Sequence, residues 1–268
     1  MSTRFDRDTS VTLNPAGSFD ARIDRAWWIV RGPNGGYIAA ILVRAMQTAV
    51  ADHARTLRSL TVHYLRPPAE GPATVVTRIE REGRGLTTVT ARLEQNGKLQ
   101  ALATAAFAKS RGGPKLAHAV MPEVAPPEQC PLREAAPTPL HEQFETRIAI
   151  GPKSFDPSEK ERAALTGGWI RLADPRPIDA ALLAAYTDAW PPAVFATKDF
   201  PPPMGGVPTV DLTVHIRTPL PVDVPVDDFV LVVFRTRQVH DGFLEEDGEI
   251  WSRDGQLLAH SRQLGVAV

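Results

Sequence analysis

The sequence predicts an α+β fold in which one unit, a long helix wrapped by an antiparallel β-sheet, occurs twice. Three observations carry this. Residues 38, 41, 42, 45, 46 and 49 are apolar, at the i, i+3, i+4 spacing of an amphipathic helix. Val43 widens that face, so the helix is expected to lie within other structure and not on a surface. The chain that follows alternates like a strand meander and contains Asn96-Gly97, a strong type I′ hairpin signal. The third observation is a repeat. Leu60-Thr61-Val62-His63 returns as Leu212-Thr213-Val214-His215, and Asn96-Gly97-Lys98-Leu99 is echoed by Asp254-Gly255-Gln256-Leu257 in the same order at nearly the same spacing.

Taken in order, residues 9–23 form a hairpin around Asn14-Pro15-Ala16-Gly17. Asn34 is a good N-cap for the long helix, and Gly35-Gly36 lets another backbone or a ligand approach its first turn. Strands follow at 60–65, 73–81, 86–94 and 99–107. Seven prolines between 114 and 139 mark a linker that crosses a surface without packing. The second half supplies strands at 144–150 and 167–172 and a helix at 177–190 with Pro177 near its start and Pro191-Pro192 as its stop. After that come a strand at 212–215 and a closing strand at 259–266. The domains are then 1–110, a Pro-rich linker 111–140, and 141–268. The edge strands of the two halves are expected to pair, because unpaired edges invite aggregation.

Composition excludes several classes. Lys and Arg number 30 against 31 Asp and Glu, a formal net charge of -1, which gives no support for nucleic-acid or anionic-membrane binding. No apolar run approaches the roughly 20 residues a membrane span needs. Met1-Ser2-Thr3-Arg4-Phe5-Asp6 has no apolar signal-peptide core. The single cysteine, Cys130, cannot form an internal disulfide and has no metal-ligand neighbours in sequence. These features favour a cytoplasmic protein.

The helix opening at Asn34-Gly35-Gly36, Asp188 late in the second helix, Thr209-Val210-Asp211 opening a strand and Gln263 in the closing strand occur in that order inside the duplicated unit. In this the chain resembles the acyl-CoA thioesterase II (TesB-like) family, over nearly its whole length. The resemblance implies a double hot-dog fold and hydrolysis of an acyl-CoA substrate, without a metal or an organic cofactor. It also implies that Asp188, Thr209 and Gln263 activate water against the thioester. Leu212 and Leu264 depart from the family pattern, where His often follows the Asp and an acidic residue often follows the Gln. A homo-oligomer of the double unit is compatible with this fold.

The residues themselves agree with that chemistry. A thiolate leaves without strong acid help, since its pKa is Cys-like at about 8.5. Hydrolysis therefore needs a base or orienter for water and a donor for the oxyanion. No Gly-x-Ser-x-Gly elbow is present, and no His pair has zinc-site spacing with a Glu between. Asp188 is read as the base, near a helix C-terminus where the dipole disfavours a carboxylate and beside the small side of Ala181, Ala184 and Ala185. Thr209 follows Gly205-Gly206 and Gln263 corresponds to Ala105 of the first half. By spacing alone each is an ordinary polar position. Backbone N–H groups of Gly36 and Tyr37 are the expected oxyanion donors, with close packing as the other role for the glycines. His63 and His215 read as strand-surface residues, with a dehydratase-like base as the competing role. The charged positions 80–84 and 245–249 read as solvated turns. The competing functions are an acyl-CoA-binding protein without turnover and an enoyl-CoA hydratase or dehydratase.

Overall fold

A computed structural model describes every residue except 1, 115, 135–137, 154–157, 159–161 and 201–205. Its elements, in chain order, begin with α1 (Arg4–Asp8), β1 (Thr12–Leu13), β2 (Phe19–Ile23), α2 (Gly35–Val50), β3 (Thr56–Tyr64), β4 (Gly71–Glu82), β5 (Leu86–Gln95) and β6 (Lys98–Ala108). The second half has β7 (Phe144–Ile150), β8 (Ala164–Leu172), α3 (Ala180–Tyr186), β9 (Thr209–Ile216), β10 (Val230–Thr236), β11 (Val239–His240), β12 (Phe243–Ser252) and β13 (Leu257–Val266). The strands form one sheet in the order β1-β2-β4-β5-β6-β3-β9-β13-β12-β10-β8-β7, with β11 beside β12. Every pairing in it is antiparallel.

The halves join where β3 pairs with β9, and this junction exposes the duplication. Thr61 lies opposite Thr213, and Leu60↔Val214 is mirrored by Val62↔Leu212. Residues equivalent in the repeat thus meet across a pseudo-two-fold axis, where the Thr61 and Thr213 hydroxyls are 3.0 Å apart. The hairpin at Asn96-Gly97 has φ of 52° and 70°, the two left-handed residues that a type I′ turn requires.

The two helices α2 and α3 pack on each other and against one face of the sheet, and they differ. α2 has sixteen residues, capped by Asn34, whose side chain accepts from the Tyr37 N–H. Tyr37 to Val43 are all buried, as are Ala45 and Met46, which is the burial a helix apolar on all sides demands. Each large side chain there contributes roughly 1.5–3 kcal/mol. α3 has only seven residues and is capped by Asp179, so the expected 177–190 helix is shortened at both ends. It stops because the Thr187 hydroxyl takes the Ala184 carbonyl, the chain tightens into an Asp188 N–H to Ala185 C=O turn, and Pro191-Pro192 cannot continue a helix.

The linker also departs from expectation. Met121, Val124 and Cys130 pack with Trp169, Phe229, Leu231, Val233 and Trp251 on the face of the second half's strands opposite the helices. The prolines break secondary structure there without keeping the segment off the core. Pro137, within the expected linker, lies outside the described residues.

Candidate active site

Two polar groups carry the candidate site, one brought by the helix ends and one by the strands of the second half. The first is centred on Asp188, just beyond α3. Its Oδ2 accepts from Asn34 Nδ2 at 2.8 Å and from the Gly36 N–H at 3.0 Å, and its backbone carbonyl accepts from the same Asn34 amide at 2.6 Å. Asn34 therefore fixes both the side chain and the backbone of a residue 154 positions away. Asp188 stands past the C-terminus of its own helix, but its carboxylate sits on the N-terminus of α2. The dipole there favours a negative charge, so the expected unfavourable placement is reversed.

The expected oxyanion donors are engaged by the same contacts. The Gly36 N–H is taken by Asp188, and the Tyr37 N–H by Asn34 Oδ1 at 3.0 Å. The Tyr37 phenol is buried against the N-terminal segment, donating to the Asp8 carbonyl at 2.8 Å and accepting from the Asp24 N–H at 3.1 Å. An N-cap and an incoming carboxylate have satisfied the orphan donors that made this turn attractive. What the glycine provides is proximity: a Cβ at Gly36 would lie 2.6 Å from the Ala185 carbonyl oxygen. Tyr64 completes this side, its hydroxyl donating to the Gly35 carbonyl at 2.8 Å.

Burial pushes the Asp188 carboxyl up to about 6 against the pull of the Gly36 and Gly35 N–H groups and Asn34. The other end of the helix pair offers a contrast. Burial also acts on Asp179, but Arg176 and Arg44 outweigh it and hold that carboxyl below its ordinary value. Among the described residues no cation pairs with Asp188, and its hydrogen-bond partners are neutral donors.

The second group lies on β9, β12 and β13. The Thr209 hydroxyl donates to Gln263 Oε1 at 2.8 Å, and Gln263 Nε2 donates to Glu246 Oε1 at 2.7 Å. Glu246 Oε2 accepts from the Ala193 N–H. Simple alternation would place Thr209 with Thr213 and His215, away from the core. A register shift pairs Leu264 with Asp211 but Gly265 with Thr209, so Val210 is the extra residue and Thr209 turns to the face of Leu212 and Gln263. Gly205, expected in the preceding turn, lies outside the described residues.

Glu246 was not among the expected site residues, and the solvated turn expected at 245–249 is the middle of β12. Its side chain is 2% exposed. Burial pushes its carboxyl up to about 7, against the Ala193 N–H and Gln263, and the Asp188 and Asp247 carboxylates push it further. That Asp188 acts on Glu246 places the two groups within electrostatic reach of one another. The alternation Leu244, Glu246, Gly248, Ile250 was the available signal, since it sets Glu246 on an apolar face. His63 and His215 are both exposed, opposite Asp211 and Ser59 across the junction and away from Asp188. Among the described residues, no three His, Cys, Asp or Glu side chains gather as a metal site would require.

The repeat shows which half carries the polar set. Leu60 pairs with Ala105, which pairs with Val89; the equivalent Leu212 pairs with Gln263, which pairs with Glu246. Two apolar residues of the first half's strands are thus an amide and a carboxylate in the second half's.

Residues 24–108 match the sequence model of the acyl-CoA thioesterase N-terminal domain, and residues 122–267 match that of the C-terminal domain. The chain belongs to the acyl-CoA thioesterase family. It is a thioester hydrolase acting on acyl-CoA. Solved structures agree on the hot-dog fold of this thioesterase. A hot-dog protein of unknown function from Alicyclobacillus acidocaldarius is 29% identical, with a TM-score of 0.88 over 100% of this chain and 99% of that one. A candidate thioesterase II from Thermobifida fusca is 28% identical, with a TM-score of 0.82 over 99% and 98%. An acyl-CoA thioesterase II from Mycobacterium marinum shares the fold at 18% identity, with a TM-score of 0.77 over 98% of both chains. A comparison with curated proteins finds no match. Among the described residues no helix is long and apolar enough to cross a membrane.

Proposed function

We propose that acyl-CoA is hydrolysed by direct attack of one water held between Asp188 and Thr209, with Gln263 behind the threonine. The observation that carries this reading is the setting of Asp188: its carboxylate sits at the N-terminus of α2, held by the neutral donors Asn34 and Gly36, and burial pushes it up to about 6. It is ionised at neutral pH and basic enough to take a proton. Asn34 and Gly36 both bond Oδ2, and on this reading Oδ1 takes the water. The Thr209 proton is directed to Gln263, so its oxygen offers lone pairs to the water as well. A water donating one hydrogen to each keeps a lone pair for the thioester carbon. The O–C bond forms as its proton passes to Asp188, the second amide hydrogen of Gln263 is available to the carbonyl oxygen, and the adduct collapses with cleavage of the C–S bond. The thiolate leaves and takes up the proton from Asp188 or solvent. On this reading the second unit, 141–268, carries the chemistry and the first, 1–110, supplies Asn34 and Gly36. We place the reaction in the cytoplasm.

The test is steady-state thiol release from acyl-CoAs of several chain lengths, with affinity measured in parallel, for Asp188→Asn, Thr209→Val and Gln263→Ala. Asp188→Asn should lower turnover by roughly 10²–10⁴-fold with little change in substrate affinity, the range for removing a general base. Full activity in that variant, on a substrate the parent hydrolyses, defeats the proposal.

A further inference from the structure

We infer that Glu246 is a positioning residue: by accepting from Gln263 it sets the direction of the Gln263–Thr209 hydrogen-bond chain and so decides whether Thr209 meets the substrate side as acceptor or donor. The inference rests on the proposed use of Thr209 as an acceptor for water.

The argument is one of donor and acceptor counting. An ionised carboxylate only accepts. With the Ala193 N–H on Oε2 and Gln263 on Oε1, Glu246 obliges Gln263 to present its NH₂. The Gln263 oxygen then faces Thr209, and the threonine must donate to it. The hydrogens run one way, from Thr209 through Gln263 to Glu246, and Thr209 is left with lone pairs only. A protonated Glu246 allows the reverse. It can donate to a flipped Gln263 oxygen, the Gln263 NH₂ then donates to Thr209, and the freed Thr209 O–H points at the water's own lone pairs. That arrangement competes for the electrons that should attack the thioester. The chain is enclosed, since Glu246 and Gln263 are buried, so solvent does not readily supply a substitute partner.

The charged groups around Glu246 support the same view. Asp188, from the helix ends, and Asp247, its neighbour on β12, both favour its neutral form. The cations nearby, Arg237 and Arg262, are engaged by Asp247. Burial and these carboxylates push the Glu246 carboxyl up, toward the protonated form that allows the reversed chain.

Glu246→Gln fixes the reversed direction while keeping a partner for Ala193 and for Gln263. The new amide oxygen accepts from Ala193 and its NH₂ donates to a flipped Gln263. The variant should melt no lower than the parent and keep its acyl-CoA affinity while kcat falls at least 10-fold. In the parent, log kcat should fall with a slope approaching two on the acid side, because Asp188 and Glu246 must both be ionised. In Glu246→Gln that slope should drop to one. An unchanged kcat in a folded Glu246→Gln, or a parent slope of one down to pH 5, overturns the inference. The parent profile decides even if the variant does not fold. Failure is separable from failure of the water mechanism. If Asp188→Asn is inactive while Glu246→Gln is fully active, only the positioning role is lost.

Discussion

Adding one methyl group at Gly36 tests whether the α2 N-terminus holds the base in place. The Cβ of Gly36→Ala would lie 2.6 Å from the Ala185 carbonyl oxygen, 3.1 Å from the Ala185 Cα and 3.1 Å from Asn34 Oδ1. The first of these is roughly 0.7–1 Å short of ordinary contact, and the obstacle is backbone. The two helix ends must separate by about that amount, and the 3.0 Å bond from the Gly36 N–H to Asp188 lengthens with them. Overpacking of this kind costs about 1–3 kcal/mol, offset by the roughly 0.5–1 kcal/mol that Ala gains over Gly in a helix. At about 2–4 °C for each kcal/mol in a chain of this size class, the melting temperature should fall by several degrees and the fold survive. A misplacement of about 1 Å at a catalytic group can cost on the order of 10²-fold, so kcat should fall far more than stability does. Thermal melting and thiol release on the same preparation measure both. Gly85→Ala is the control, because a Cβ there meets nothing within 4 Å. Full turnover in Gly36→Ala would refute the idea that α2 positions Asp188. Activity lost only in proportion to unfolded protein would assign the glycine to packing alone.

Two other outcomes follow from the same contacts. Asp188 and Glu246 have folded-state values of about 6 and 7, above the ordinary 3.8 and 4.5, so the native state keeps protons that the unfolded chain releases. Stability should therefore fall as pH rises from about 4 to about 7, with Glu246 contributing on the order of 3 kcal/mol of that loss; calorimetry at steps of half a pH unit should show the decline shrink in Glu246→Gln, and a flat parent curve would contradict it. At the junction, Thr61→Val and Thr213→Val should each cost about 1 kcal/mol by leaving one hydroxyl without its partner, while the double variant costs less than their sum; strict additivity in denaturant unfolding would show that the hydroxyls do not interact.

The sequence disclosed what depends on near neighbours. Asn34 caps α2 as its side chain and the glycines after it suggest, and Asn96-Gly97 makes the turn its residue types require. The pairing of β3 with β9 follows from the repeat and from the liability of open edges. What was hidden depends on contacts far apart in the chain. Nothing local says that Asn34 will hold Asp188, and without that contact Asp188 looks like a carboxylate at an unfavourable helix end. The bulge at Val210 is set by pairing with β13, so alternation along β9 alone points Thr209 the wrong way. Glu246 stands in a run of Glu, Glu and Asp that averages to a solvated turn, and only its parity with Leu244 and Ile250 separates it from its neighbours.

The difference between the halves has a physical reason. In the first, Val89 and Ala105 face α2, whose interior N–H groups are consumed by its own i→i−4 bonds. A carboxylate at position 89 would find no donor there, and an unpaired buried charge is costly. In the second, α3 stops at Tyr186 and the chain from Thr187 runs irregularly to a short 3₁₀ turn at Ala193–Ala196. The first N–H groups of such a turn have no partner within it. The Ala193 N–H is one of them, and it bonds Glu246. The shortened helix and the buried acid are therefore one feature. Interrupting the helix frees the donor that allows Glu246 to be buried, and the same interruption delivers Asp188 to the N-terminus of α2. A duplicated fold with two full-length helices would lack both the donor and the carboxylate, which is why the polar set belongs to one half of the chain.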